Sequence, residues 1–199
     1  MNQKVQETGA VTPESSVDNQ RRIMLKMAGI SAAAGCSLSL GEAQAQEQGG
    51  RGMNKGDLLM TAKGEPKLVK LEDLKVGAKP VLVFPFDEQA QKPRDESRLN
   101  KLLLIRVNEA DLSEELRARS VSGVLAFSAV CTHQGCDVTE YLATDKLLMC
   151  FCHFSKFNPA DGAVAKGPAS RALPWVPLGQ KDGLVVIAGD FSTKPGVMG

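Results

Sequence analysis

Four of the five cysteines and both histidines of this chain fall in two short segments. The first reads Cys131-Thr132-His133-Gln134-Gly135-Cys136 and the second Cys150-Phe151-Cys152-His153-Phe154-Ser155. Each segment supplies two thiols and one imidazole, and little else in the chain could ligate a soft metal. This concentration constrains the fold before any periodicity is considered, because a shared metal centre requires both segments to meet at one place. Two thiolates with two imidazoles suit a [2Fe-2S] cluster in which one iron is held by Cys and the other by His. The same four donor types also satisfy a tetrahedral zinc ion.

The chain has 199 residues, 43% hydrophobic and 24% charged, which fits one ordinary globular domain. A formal net charge of +1 gives no reason to expect nucleic acid or an acidic surface as a partner. Nineteen Gly and ten Pro with only one Trp and one Tyr suit a loop-rich, mainly β protein. The fifth cysteine, Cys36, lies far from the two segments.

Residues 1 to about 20 are polar and without apolar period. Arg21-Arg22-Ile23-Met24-Leu25-Lys26 follows, then a mildly apolar stretch to Leu40, then Ala43-Gln44-Ala45. This order of basic region, apolar region and small-x-small site predicts an export signal over 1–45. The paired arginines resemble a twin-arginine signal, which implies a periplasmic destination. An iron–sulfur centre assembled in the cytoplasm would cross already folded, in keeping with that route. Two other readings remain. Ile23 to Leu40 is near the ~20 residues of a membrane span and could stay as an uncleaved anchor. Ala33-Ala34-Gly35-Cys36 weakly resembles a lipid-attachment site at Cys36.

A Gly-rich polar linker is expected over 46–57, followed by a domain over 58–199. Within the domain, Lys67–Leu71, Val81–Phe86, Leu102–Val107 and Val124–Ser128 read as strands, with a charged exposed loop over Gln89–Asn100. Asp111-Leu112-Ser113-Glu114 resembles a capping box with Asp111 as cap, which predicts a short helix from Leu112 to about Arg119. Lys146–Met149 leads into the second cysteine segment. Trp175–Leu178 and Leu184–Ala188 flank Lys181-Asp182-Gly183, a hairpin signal.

The two segments resemble the loops of Rieske iron–sulfur proteins, Cys-Thr-His-x-Gly-Cys and Cys-x-Cys-His. The likeness runs from about Lys67 to Ala188 and takes in Gly162 and Gly167-Pro168-Ala169, similar to that family's proline loop. It implies an all-β fold, a Rieske-type antiparallel β-sandwich with a small cluster-binding subdomain, and one [2Fe-2S] cluster per chain. It implies Cys131 and Cys150 as ligands of the buried iron and His133 and His153 of the outer one. It also implies a disulfide between Cys136 and Cys152, and a hydroxyl at Ser155 donating to a bridging sulfide. Zinc on Cys131, His133, Cys150 and His153 explains neither the extra cysteines nor Thr132, Gly135 and the proline loop. Two ferric ions, two sulfides and two thiolates are formally neutral, so such a cluster takes an electron readily. Potentials of Rieske centres accordingly lie at roughly −150 to +300 mV.

Cytochrome bc1-type members carry Gly after the second ligand His and Tyr four residues after it, where this chain has Phe154 and Phe157. Without that phenol the cluster has one hydrogen bond fewer, which predicts a lower potential. Gln134 stands where quinol-oxidising members usually have an apolar residue. The His-Phe-Ser-x-Phe pattern resembles the Rieske small subunit of arsenite oxidase and its relatives. That likeness implies a large catalytic subunit containing molybdopterin and a c-type cytochrome or similar acceptor. The alternative is the Rieske subunit of a quinol–cytochrome c reductase held at the membrane by its N-terminus. A Rieske oxygenase needs further histidines for a mononuclear iron, and the chain has only two.

Overall fold

A computed structural model describes residues 52–197, all within one compact unit, so the export-signal, anchor and lipidation readings lie outside the described residues. Among the described residues, twelve strands form two antiparallel sheets. The larger contains β1 (Leu58–Thr61), β2 (Val81–Asp87), β3 (Lys92–Pro93), β4 (Leu102–Arg106), β5 (Val124–Ser128), β10 (Trp175–Val176), β11 (Leu178–Lys181) and β12 (Leu184–Ile187). Its order is β10-β5-β4-β2-β1-β12-β11, with β3 paired to β2. The two edge strands, β10 and β11, are separated in sequence by Pro177 alone. The sheet therefore has to curl until its ends meet, and the expected sandwich takes a barrel-like form.

β4 and β5 show why their sequences are apolar without interruption. Leu102, Leu104, Val124 and Ala126 point into a core inside the curl, with Leu59, Val83, Val185 and Ile187. Leu103, Ile105, Leu125 and Phe127 point to the opposite face, into a second core. Alternate side chains of a strand face opposite ways, so a strand buried on both faces reads as a continuous apolar run.

The second core is roofed by the smaller sheet, β6 (Glu140–Leu142), β7 (Leu147–Met149), β8 (Lys156–Phe157) and β9 (Val164–Lys166), in that order. Leu148 and Phe157 pair across β7 and β8 and are fully buried against Phe127 and Leu173. Arg119 joins the two layers, its guanidinium 4.2 Å from the Trp175 ring centroid and its Nη2 donating to the Ala160 carbonyl at 3.2 Å.

Three local expectations need correction. The helix α1 spans Glu114–Ala118 and its cap is Ser113, whose Oγ accepts from Leu116 N–H at 3.3 Å. Asp111 instead ends a 3-10 turn capped by Asn108, because buried Leu112 fixes the chain in the core between the two turns. Lys67–Leu71 contributes only isolated bridges, Met60 to Leu68 and Lys70 to Leu184. Residues 54–57, read as the end of a linker, are tied to the domain: Gly56 N–H donates to the Ile187 carbonyl and Ile187 N–H to that of Asp57.

Candidate metal centre

The first cysteine segment follows β5. Ala129 and Val138 close its base through the Val138 N–H and the Ala129 carbonyl at 2.8 Å. Inside, Cys131 N–H donates to the Cys136 carbonyl and Gly135 N–H to that of Cys131. Gly135 makes this turn with φ at +78°, a conformation costly for residues with a Cβ. The second segment is the turn of the β7–β8 hairpin, closed by Cys150 N–H to the Ser155 carbonyl at 3.0 Å. Both expected ligand loops thus rise from the second core, and the buried Cys131 and Cys150 belong to it, each 2% exposed.

The structure brings together all six Cys and His residues of the two loops. Cys136 and Cys152 form a disulfide that joins the loops, as the resemblance implied. Their sulfurs and that of Cys150 lie within 4.8 Å of one another, but the two bridged sulfurs have no thiolate to offer a metal. That leaves Cys131 and Cys150 as free buried thiols. Burial pushes the Cys150 thiol up; the Cys152 and His153 N–H groups oppose the rise, and neighbouring Cys131 adds to it. The rings of His133 and His153 stand edge to face, centroids 4.7 Å apart. His133 Nδ1 is buried without a hydrogen-bond partner. A buried ring nitrogen with no partner costs stability unless something is bound there. Two buried thiols, two converging imidazoles and an orphaned ring nitrogen therefore fit a [2Fe-2S] centre with mixed ligation.

The proline loop closes the site. Ala169 N–H donates to Ser155 Oγ at 3.2 Å, leaving the hydroxyl hydrogen of Ser155 free. Gly167 passes so near that a Cβ on it would stand 2.7 Å from Ser155 Cα. Thr132 Oγ1 donates to the Arg171 carbonyl at 2.6 Å, tying the first loop to the far end of the same segment. Arg171 and the anchoring of Asp137 by Lys101 at 2.8 Å and Arg98 at 3.1 Å were not read from the sequence. Nothing in the local pattern marks these residues, since their partners are distant in the chain.

The profile of the Rieske [2Fe-2S] domain matches residues 70–177. A Haloferax mediterranei protein named for a Rieske subunit of respiratory nitrate reductase is 38% identical over 67% of this chain. The match spans only 58% of that relative's length. The Rieske iron–sulfur subunit of the Streptomyces lividans cytochrome bc1 complex is 33% identical over 72% of this chain and 86% of its own. The crystal structure of the plasma-membrane Rieske protein of Synechocystis PCC 6803 aligns with a TM-score of 0.39 at 21% identity, over 60% of this chain and 95% of that one. With two Cys–His loops, a bridging disulfide and a match over more than half its length, the chain belongs to the Rieske [2Fe-2S] family of electron-transfer proteins.

Proposed function

We propose that Cys131 and Cys150 hold the inner iron and His133 and His153 the outer one, and that the chain is the one-electron carrier subunit of a periplasmic oxidoreductase. The observation that carries the ligand set is the unpartnered His133 Nδ1 beside two free thiols, with the other two cysteines already joined. When bound, the cluster supplies reversible one-electron transfer. Around it, Cys131 and Cys150 lend two thiolates in a dry core, which favours a small change of charge over a large one. The Ser155 hydroxyl, held by Ala169, is free to donate toward the bound group. His153 is exposed and gives the centre its route to a redox partner.

The partner is read from the relatives: Rieske proteins similar to this chain are named as subunits of oxidoreductase complexes, so substrate conversion is assigned to another subunit. A large catalytic subunit containing molybdopterin fits the resemblance to arsenite oxidase small subunits, and a Rieske relative named for nitrate reductase supports such an arrangement. A c-type cytochrome is the proposed acceptor, and the twin-arginine signal the proposed export route. Phe157, fully buried in β8, has no hydroxyl to offer the centre. An EPR-monitored redox titration should therefore give a midpoint below that of quinol-oxidising members; a value as high as theirs would overturn this reading.

The second reading is a quinol–cytochrome c reductase subunit, favoured by the Streptomyces relatives. No helix among the described residues is long and apolar enough to cross a membrane, and this reading assigns the anchor to segment 1–45. Gentle purification of the exported protein separates the two. Molybdenum in the co-purifying complex supports the first reading, and haem b with an intact segment 1–45 supports the second.

A further inference from the structure

We infer that residues 193–197 are a strap which Arg171 fastens against the first cluster loop, making Arg171 a positioning residue for His133. The inference rests on the ligand reading above. The guanidinium of Arg171 donates to the Gly196 carbonyl at 2.6 Å, to the Lys194 carbonyl at 3.1 Å and to Thr193 Oγ1 at 3.3 Å. Its planar fork holds five donors in fixed directions, whereas an ammonium offers three from a single point on a flexible stem. The carbonyl of the same residue accepts from Thr132 Oγ1, and Thr132 stands between Cys131 and His133. One residue therefore grips the C-terminal segment with its side chain and the ligand loop with its backbone.

The strap also meets that loop directly. Val197 Cγ2 lies 3.6 Å from where a Cβ on Gly135 would stand, two residues beyond His133. Gly196 takes a φ of +84°, which favours glycine, and a Cβ there would stand 2.8 Å from Leu99 Cδ2. The first loop is thus held at Thr132 and covered at Gly135, on either side of the imidazole. Release of the strap frees this loop locally and leaves the sheets intact.

Hydrogen–deuterium exchange on the full-length, cluster-loaded protein tests this, alongside EPR of the reduced form. In Arg171→Gln, amides of residues 131–136 should exchange about tenfold faster while those of β4 and β5 keep their wild-type rates. Arg171→Lys, which keeps the charge without the fork, should behave like Arg171→Gln, and both should shift the EPR g values. Wild-type exchange in the first loop overturns the strap, as does full restoration by Lys. Faster exchange with unchanged g values overturns the positioning of His133. If Arg171→Gln does not fold, Thr193→Ala with Val197→Ser removes contacts at the other side of the same strap. Absence of any Rieske signal in the wild-type protein would instead count against the ligand reading and leave the exchange result standing.

Discussion

The two ligand loops carry the same residue types and are held in different ways. The first is bound into the protein by polar contacts: Thr132 to the Arg171 carbonyl, and Asp137, just past Cys136, to Lys101 and Arg98. The second is a hairpin tip. Its Phe151 and Phe154 are 55% and 62% exposed, and Phe154 sits in the left-handed region with φ at +59°. One loop is fixed and the other is presented, with the disulfide as the covalent link between them. A centre that must keep its geometry while passing electrons outward is served by one rigid wall and one accessible one.

Removing a donor from the presented loop should have the largest effect. His153→Ala is expected to abolish the reduced-state Rieske EPR signal, and full cluster retention would sink the ligand assignment. Next comes the link. Cys136→Ser opens a ring closed across a sequence separation of 16. It should cost on the order of 3 kcal/mol in denaturant unfolding and leave a cluster that assembles but is lost readily; an equally durable cluster would show that the two loops need no covalent tie.

The anchoring of the fixed loop is a smaller contribution. Burial works against the Asp137 carboxylate, but the hydrogen bonds and charges of Lys101 and Arg98 outweigh it and hold its pKa below the usual range. A carboxyl depressed in the folded state stabilises above its unfolded pKa, and that stability is lost as pH falls through the folded one. Asp137→Asn should thus cost about 1 kcal/mol at neutral pH, and the gap to wild type should close as pH falls below about 4. A gap independent of pH would locate the effect elsewhere. The smallest change is Phe154→Gly, which relieves a left-handed Phe whose ring is mostly exposed. It should stabilise the fold against thermal unfolding by about 0.5 kcal/mol, while a loss of stability would mean the exposed ring packs in a way its exposure conceals.

What the sequence revealed tracks how local the physics is. The two Cys–His segments are legible because a residue type does not change with context. β4 and β5 are legible because burial on both faces leaves an unbroken apolar run. The hairpin at Asp182-Gly183 is legible because both residues tolerate the positive φ they adopt, +51° and +79°. β6, β8 and β9 are not legible, since strands of two or three residues are defined by their partners rather than by their own period. The helix cap was misplaced by two residues because a buried Leu112, not the acidic residue before it, sets where the helix begins. The charged stretch from Gln89 to Asn100 reads as solvated surface. Its Arg94 in fact binds Asp57 at 2.8 Å and Asp87 at 2.7 Å, with little exposure of any of the three.

That ion pair determines how the domain would respond to force. Asp57 is fixed twice, by its backbone to Ile187 in β12 and by its carboxylate to Arg94. A pull on the chain from its N-terminal side therefore loads this clamp before it reaches the ladder between β1 and β2. Gly56 N–H and Ile187 N–H add two backbone hydrogen bonds between this point and β12. Both cysteine loops come after β5 in the chain, so such a pull reaches the clamp before it reaches either of them.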